Sequence, residues 1–273
     1  MKVAFQGVRG AYSEEAARRH FGPACEPLGV ALSEQVFEAV ASGRADCGFL
    51  PVENSIAGPV AVNLDLFLTE DVYITAEAYL RIEHCLLAPP ATTLDAVKTV
   101  YSHPIALAQC KGFIAKRGLK AVPEYDTAGS AELVAARRLP GEAAIASRAC
   151  AEVYGLEVLG ENLQSAKDNF TRFGAFVKGR GAPAGLKMEK TSIAFAVHHH
   201  PGALLDCLRR FADHGISLTR LESRPIPENP FEYVFFADFL GGAGSEDVRR
   251  ALDELGQAAR FVRLLGSYPL GAR

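Results

Sequence analysis

The chain lacks an excess of either charge. Its 29 lysines and arginines stand against 32 acids, a formal net charge of −3, and no basic run stands out. A nucleic-acid partner is therefore not expected, because binding a phosphate backbone needs a positive footprint. No apolar run reaches the ~18 residues of a membrane helix, so no membrane partner is expected either. Met1 to Gly7 pass straight into a short strand pattern and a glycine turn. That leaves no room for a signal peptide and makes the cytoplasm the expected location. There is no C-x-x-C pair. Cys25, Cys47, Cys85, Cys110, Cys150 and Cys207 are scattered and read as small buried hydrophobes rather than disulfides or zinc ligands. G-x-G-x-x-G is absent as well, since Gly7-Val8-Arg9-Gly10 is too sparse for a dinucleotide loop. His198-His199-His200 would set two imidazoles on one strand face, which is an incomplete metal site. Neither a metal nor another cofactor is expected.

What is present is an ordinary globular composition, 49% apolar and 22% charged over 273 residues, enough for two domains. From Met1 to about Val177, short apolar runs alternate with helical stripes. Strands are expected at Val3–Phe5, Cys47–Leu50, Val100–Tyr101, Ala121–Val122, Ala143–Ala146 and Leu156–Leu159. Helices are expected to begin near Ser13, Ser33, Ile105, Ser130 and Ser147, with the serines as caps and one helix running from Ile105 to Lys116. This rhythm predicts α/β architecture with largely parallel sheets covered on both faces. It fits two lobes, 1–78 with 160–178 and 79–159, enclosing a cleft lined by loops at strand ends. The expected architecture resembles that of a type II periplasmic-binding protein.

Residues 179–188, rich in Gly, Pro and Ala, form a linker. Beyond it, Thr191–Val197, a helix after Gly202, Ile216–Leu221, Phe231–Leu240, a helix striped by Val248, Leu252 and Leu255, and Phe261–Leu265 give the order βαββαβ. That is a ferredoxin-like unit over 189–273.

One stretch carries concentrated chemistry. In 162–177 a polar run holding Asp168, Asn169, Thr171 and Arg172 enters an apolar strand, Phe173 to Val177. A hydroxyl, a guanidinium and an amide at a strand mouth can grip an anion, although Thr and Asn also serve simply to cap turns. Pro51-Val52-Glu53-Asn54-Ser55 follows a buried strand, and Tyr101-Ser102-His103-Pro104 precedes Gln109-Cys110.

These motifs, with Phe5-Gln6-Gly7, Gly10-Ala11-Tyr12-Ser13 and Asn169-Phe170-Thr171-Arg172-Phe173, resemble the prephenate dehydratase family across 1–178. Gly202-Ala203-Leu204 and Glu222-Ser223-Arg224-Pro225 resemble its ACT regulatory domain. Two positions depart from the family pattern: Ile105 stands where Gln is usual and Ser165 where Asp is usual. The resemblance implies decarboxylative dehydration of prephenate to phenylpyruvate in phenylalanine biosynthesis, without cofactor. Thr171 is then the principal catalytic residue, a positioned donor to the departing hydroxyl. A threonine hydroxyl is too weak an acid to deliver the proton alone. Glu53 is the candidate carboxyl, as an acid or as an orienting group. Arg172 either clamps a substrate carboxylate or braces the loop. Asn54, Ser55, Ser102, Gln109, Asn169 and Phe173 are the substrate-binding candidates, while His103, before a proline at a helix start, reads as structural.

The family also uses Gly202, Ala203, Leu204, Glu222, Ser223, Arg224 and Pro225 to bind phenylalanine between ACT domains. Feedback inhibition and a homodimer or homotetramer follow from the resemblance. No helical mutase segment precedes Val3, so a monofunctional enzyme is expected. Arogenate dehydratase is the neighbouring activity, and a non-catalytic amino-acid sensor is the alternative from a different class.

Overall fold

The computed structural model describes residues 1–226 and 229–272. The chain opens with β1 (Lys2–Gln6), α1 (Tyr12–Phe21), β2 (Glu26–Val30), α2 (Ser33–Ala41) and β3 (Cys47–Asn54). It continues through β4 (Gly58–Pro59), α3 (Ala61–Thr69), β5 (Val72–Arg81), β6 (Cys85–Ala88) and β7 (Thr99–Ser102). Then come α4 (Pro104–Gln109), α5 (Lys111–Arg117), β8 (Lys120–Pro123), α6 (Thr127–Arg137), β9 (Glu142–Ala146), α7 (Ala149–Tyr154) and β10 (Glu157–Gly160). The remainder is β11 (Phe170–Lys178), β12 (Lys190–Val197), α8 (Ala203–Asp213), β13 (Leu218–Ile226), β14 (Asn229–Leu240), α9 (Glu246–Ala258) and β15 (Ala259–Tyr268). Packing groups these into two compact units, Met1–Gly58 with Tyr79–Phe173, and Pro59–Ala78 with Gly174–Arg273.

In the first unit β1 pairs in parallel with β2 and with β3. Val3, Ala4 and Phe5 are all buried, as expected of a parallel strand covered on both faces. A second sheet has the order β10-β6-β9-β7-β8. Its β8, β7 and β9 are parallel, whereas β6 and β10 are antiparallel additions. The expectation of parallel strands thus holds for β3, β1 and β2 and for β9, β7 and β8, and gives way at β6 and β10, a common arrangement in mixed sheets.

The helix starts differ from the serine caps expected. Ser13 lies inside α1, and Glu14 reaches back to accept from the Gly10 amide at 2.8 Å. Asp126, not Ser130, caps α6 by accepting from Ala128 N at 2.6 Å. The carboxylate wins because it stands where the first free amides point and suits the helix dipole. Asp126→Ala should therefore destabilise the protein by about 1 kcal/mol, read as a lower denaturant midpoint, whereas Ser130→Ala should move it less. The single helix expected over 105–116 is broken at Cys110, whose buried φ/ψ of −97°/11° separates α4 from α5. The break leaves the Gln109 carbonyl able to accept from Ser165 N at 2.9 Å. All six cysteines are buried, and burial pushes the thiols of Cys110 and Cys150 up to about 12, so they stay protonated.

The second unit carries the antiparallel order β13-β14-β12-β15, with α8 and α9 between its strands in the chain. This is the ferredoxin-like arrangement. Ala203, Cys207 and Phe211 of α8 are buried, as are Val248, Ala251 and Leu255 of α9. The spacings i, i+4, i+8 and i, i+3, i+7 each put three side chains on one helix face. Cys207, Phe211, Val248 and Leu255 pack with Ile193, Phe195 and Phe239 of the sheet.

Residues 59–78 belong to this same unit. β5 joins β15 in parallel at Gly266 opposite Ile74. A Cβ at Gly266 would lie 2.3 Å from the Ile74 carbonyl oxygen, so only glycine allows that approach. The Tyr73 hydroxyl oxygen adds to the join by accepting from Ser267 N at 2.9 Å. Among the described residues no helix is long and apolar enough to cross a membrane.

Candidate active site

The end of β3 and the start of β11 are tied together by backbone groups. Ser55 N donates to the Phe170 carbonyl at 2.8 Å, and Phe170 N returns a bond to Ser55 Oγ at 2.9 Å. Ser55 Oγ in turn donates to the Asp168 carbonyl at 3.0 Å. Ile82 N donates to the Asn169 carbonyl at 2.7 Å. Such pairing fixes an otherwise irregular loop, because each buried backbone group finds a partner.

The side chains between them form one cluster. Asn54 Oδ1 accepts from the backbone amides of Ile56 at 3.0 Å and Ala57 at 2.8 Å. Backbone amides only donate, so this atom is the oxygen and the amide nitrogen faces the other way. Asn54 Nδ2 lies 2.8 Å from Asn169 Oδ1, 3.2 Å from the Phe170 carbonyl and 3.0 Å from Thr171 Oγ1. Thr171 Oγ1 consequently accepts, and its own hydrogen remains to be donated elsewhere. Thr171 is 9% exposed and Asn169 is fully buried, so this hydroxyl is both oriented and largely shielded from water. Asn169 Nδ2 donates to Gln109 Oε1 at 3.1 Å.

Arg172 is nearly buried, and its Nη1 stands 3.8 Å from Glu53 Oε2, whose side chain is 37% exposed. That separation is an ion pair and not a hydrogen bond. Arg172 and Glu53 thus pair with each other from the strand positions next to Thr171 and Asn54.

The structure brings together Thr171, Asn54, Asn169 and Gln109, while Arg172 and Glu53 form a pair of their own at the neighbouring chain positions. Ser55 orders the backbone of the same corner. Two candidates lie elsewhere. Ser102 is fully buried and donates to the Ile145 carbonyl at 2.5 Å, so its hydroxyl holds two strands of the second sheet together. Phe173 is 2% exposed and stacks on Phe49, with centroids 5.1 Å apart and planes at 5°. Phe173, two residues along β11 from Thr171, is held in the core by that stacking. His103 caps α4 by accepting from Ile105 N at 3.2 Å, and Ile105 itself is exposed. Ser165 meets Gln109 through its backbone amide, a contact that does not depend on which side chain stands there.

Two further members of the cluster are Tyr12, which stands in a quoted motif without an assigned role, and His84, which stands in none. His84 Nε2 lies 2.8 Å from Gln109 Oε1, and His84 Nδ1 lies 2.9 Å from the Tyr12 hydroxyl. An isolated histidine between two strands offers no periodicity or spacing that would have singled it out.

Of the effector candidates, Gly202 caps α8 with φ of +87°, a left-handed conformation suited to glycine. Ala203 is buried behind it and Leu204 is half-buried. Glu222, Ser223, Arg224 and Pro225 lie along β13, the end strand of the antiparallel order. Arg224 forms a two-pronged pair with Asp65 of α3, at 2.7 and 3.2 Å, in place of the Glu222 pairing that sequence proximity suggests.

Comparison with known proteins places this geometry in context. The prephenate dehydratase family description matches residues 3–180, and the ACT domain matches residues 191–257. The chain is 39% identical over 279 residues to arogenate dehydratase/prephenate dehydratase 2, chloroplastic, of Arabidopsis thaliana, covering 99% of this chain and 73% of that one. Among solved structures, prephenate dehydratase in complex with L-Phe from Arthrobacter aurescens superposes with a TM-score of 0.89 at 32% identity, over 99% of this chain and 90% of that one. A protein described as a novel type of quorum quenching acylase superposes with a TM-score of 0.90 at 36% identity, over 98% of both chains.

Proposed function

The chain belongs to the prephenate dehydratase family and is a carbon–oxygen lyase with an ACT domain, and on that premise we propose that Thr171 is the donor that assists departure of the ring hydroxyl. In this reaction the ring carboxylate leaves as carbon dioxide, and its bonding pair enters the ring. The C–O bond opposite breaks, and the departing hydroxide takes up a proton to become water. Aromaticity of phenylpyruvate supplies much of the driving force. The enzyme's contribution is a hydrogen bond where negative charge develops on oxygen, made in a site that excludes water.

The observation that carries this reading is the Asn54 amide, whose orientation leaves the Thr171 hydrogen as the one to be given away. Arg172 offers positive charge to one substrate carboxylate, with Glu53 as its counter-ion in the free enzyme. Gln109 and Asn54 supply neutral polar groups to the rest of the substrate. A separate cavity of about 790 Å³ lies beside Arg9, Tyr125 and Asp126. Its lining sets Glu124, Asp126 and Glu132 against a single arginine, a balance that disfavours a dianion, so the substrate is assigned to the Thr171 cluster.

The catalytic part is taken as 1–178 with lobes 1–78 plus 160–178 and 79–159, followed by the linker 179–188 and the regulatory part 189–273. Phenylalanine is the effector we assign to the regulatory part, with Gly202–Leu204 and Glu222–Pro225 as its contacts, paired between chains of a homo-oligomer in the cytoplasm. The ACT match and the L-Phe complex of the Arthrobacter aurescens protein support this assignment. Prephenate is preferred here over arogenate. Offering the purified protein each substrate in turn, with product absorbance followed, tests that choice. Phenylpyruvate should form from prephenate at the higher kcat/KM, and saturating phenylalanine should lower the rate and shift sedimentation to a larger species. Turnover of arogenate alone would overturn the preference, and an unchanged rate and sedimentation would remove the effector.

A further inference from the structure

We propose that His84 and Tyr12 are positioning residues for the dehydration, locking the Gln109 carboxamide so that its NH2 group faces the substrate. The inference rests on the Thr171 cluster being the reaction site and concerns groups that do not themselves touch the reacting atoms.

The hydrogen-bond directions follow from one fixed end. The Ile56 and Ala57 amides identify Asn54 Oδ1, so Asn54 Nδ2 is the donor toward Asn169. Asn169 must then present its oxygen to Asn54 and its nitrogen to Gln109. Gln109 must present Oε1 to Asn169. The same oxygen lies 2.8 Å from His84 Nε2, and only an N–H can meet a carbonyl oxygen there. A neutral imidazole has a single N–H, so Nδ1 carries the lone pair and accepts from Tyr12. Tyr12 shares its one hydrogen between His84 Nδ1 and the Glu83 carbonyl, each at 2.9 Å.

Both lone pairs of Gln109 Oε1 are thus filled, one from the Asn169 side and one from the His84 side. This pins the plane and the sense of the carboxamide, leaving its NH2 as a pre-aimed pair of donors for a substrate oxygen. His84 is itself held at three points. Its amide donates to Gln164 Oε1 at 2.9 Å, its carbonyl accepts from Leu163 N at 3.1 Å, and Tyr12 packs edge-on against its ring at 5.6 Å. The ring is 2% exposed as part of its residue. Burial lowers the imidazole's affinity for a proton, with the Gln109 bond acting in the opposite sense, and burial keeps the Tyr12 phenol protonated. Both groups therefore keep the protonation that the directions require. Tyr12 comes from the start of α1, His84 from the β5–β6 junction and Gln109 from the end of α4, so the lock joins three elements that no local pattern in the sequence would connect.

The test uses substitutions that separate the two ring nitrogens. A glutamine at 84 can place an amide N–H near the Nε2 position, an asparagine is too short to do so, and a leucine removes both polar groups. We expect His84→Leu and His84→Asn to lower kcat/KM on prephenate by roughly tenfold or more, the value of one lost hydrogen bond. His84→Gln should stay within about threefold of the parent, by the same measure. In a Gln109→Leu background, His84→Leu should produce no further loss, because its effect passes through Gln109. Equal activity of the Gln and Asn variants, or an undiminished loss in the Gln109→Leu background, overturns the proposal. If His84→Leu does not fold, the comparison of Gln with Asn still decides. Parallel assay of Thr171→Val distinguishes the two levels: full activity there removes the site itself, whereas a large loss there with no difference between His84 variants removes only the lock.

Discussion

Thr171→Val is expected to lower kcat by roughly 10²–10³-fold, the range seen when one donor to a developing oxyanion is removed, with KM altered by less than about threefold on the same grounds. Valine keeps the β-branched shape that suits a strand, and Thr171 sits near the start of β11 at 9% exposure. The substitution deletes the O–H and also the acceptor for Asn54 Nδ2. That amide retains the Asn169 oxygen and the Phe170 carbonyl as partners, so the structural loss is about one hydrogen bond, ~1 kcal/mol. Folding should survive. A hydroxyl that helps only as charge develops on the leaving oxygen affects kcat and leaves ground-state affinity alone. Thr171→Ser should recover most of the rate, since the O–H returns without the methyl group. Phenylpyruvate absorbance gives the rates, and an unfolding transition recorded on each variant guards against a folding defect. A valine variant turning over within threefold of the parent would remove Thr171 from the chemistry. A parent protein that binds phenylalanine but turns over neither prephenate nor arogenate would favour the sensor reading.

The elements that repeat in sequence were the ones the sequence disclosed. Val36, Phe37 and Val40 form a stripe and are buried in α2, and the βαββαβ succession after 189 has the antiparallel order such a unit requires. Helix starts were read less well, because serine, aspartate and glutamate compete for the same amides and only geometry decides. Ser130 lost α6 to Asp126, and Glu14 took the Gly10 amide ahead of Ser13. Within the site, Asn54, Asn169, Thr171 and Gln109 were accessible through motif resemblance, yet their mutual orientation was not. It depends on Ile56 and Ala57, whose contribution is a backbone N–H that any residue type could provide. Ser102 and Phe173 belong to the same motifs and are buried in sheet and core. A short motif marks a stretch of backbone without telling how each side chain is packed: Thr171 and Phe173 share a strand face by alternation, yet Phe173 is taken up by its stacking on Phe49. His84 had no signal at all, being a lone histidine whose meaning comes from partners 72 positions before it and 25 after it.

Breaking the Lys190–Glu77 pair should destabilise the second unit by about 3–5 kcal/mol, as expected when one member of a buried ion pair is removed. Lys190 Nζ and Glu77 Oε2 are 2.7 Å apart, and the two side chains are only 6% and 2% exposed. The pair bonds the first strand of the antiparallel sheet to the segment 59–78, which sequence comparison assigns to the family match over 3–180. Lys190→Met keeps the length of the side chain and takes the ammonium away from the buried Glu77 carboxylate. Glu77→Gln keeps the shape and leaves an ammonium facing a neutral amide. Each single change should lower the melting temperature by roughly 10–20 °C, taking about 4 °C per kcal/mol for a unit between the small and large domain sizes. The double variant Lys190→Met with Glu77→Leu should recover much of the loss, because two desolvated charges are replaced by apolar groups that pack. Its recovery is limited by the Gly271 amide, which donates to Glu77 Oε1 at 3.2 Å and would lose that acceptor. A thermodynamic cycle over the four proteins isolates the coupling. If the two single variants each melt within 2 °C of the parent, the pair does not hold residues 59–78 to the sheet, and other links, among them the parallel contact at Gly266 and Ile74, the Tyr73–Ser267 bond and the Arg224–Asp65 pair, do so without it.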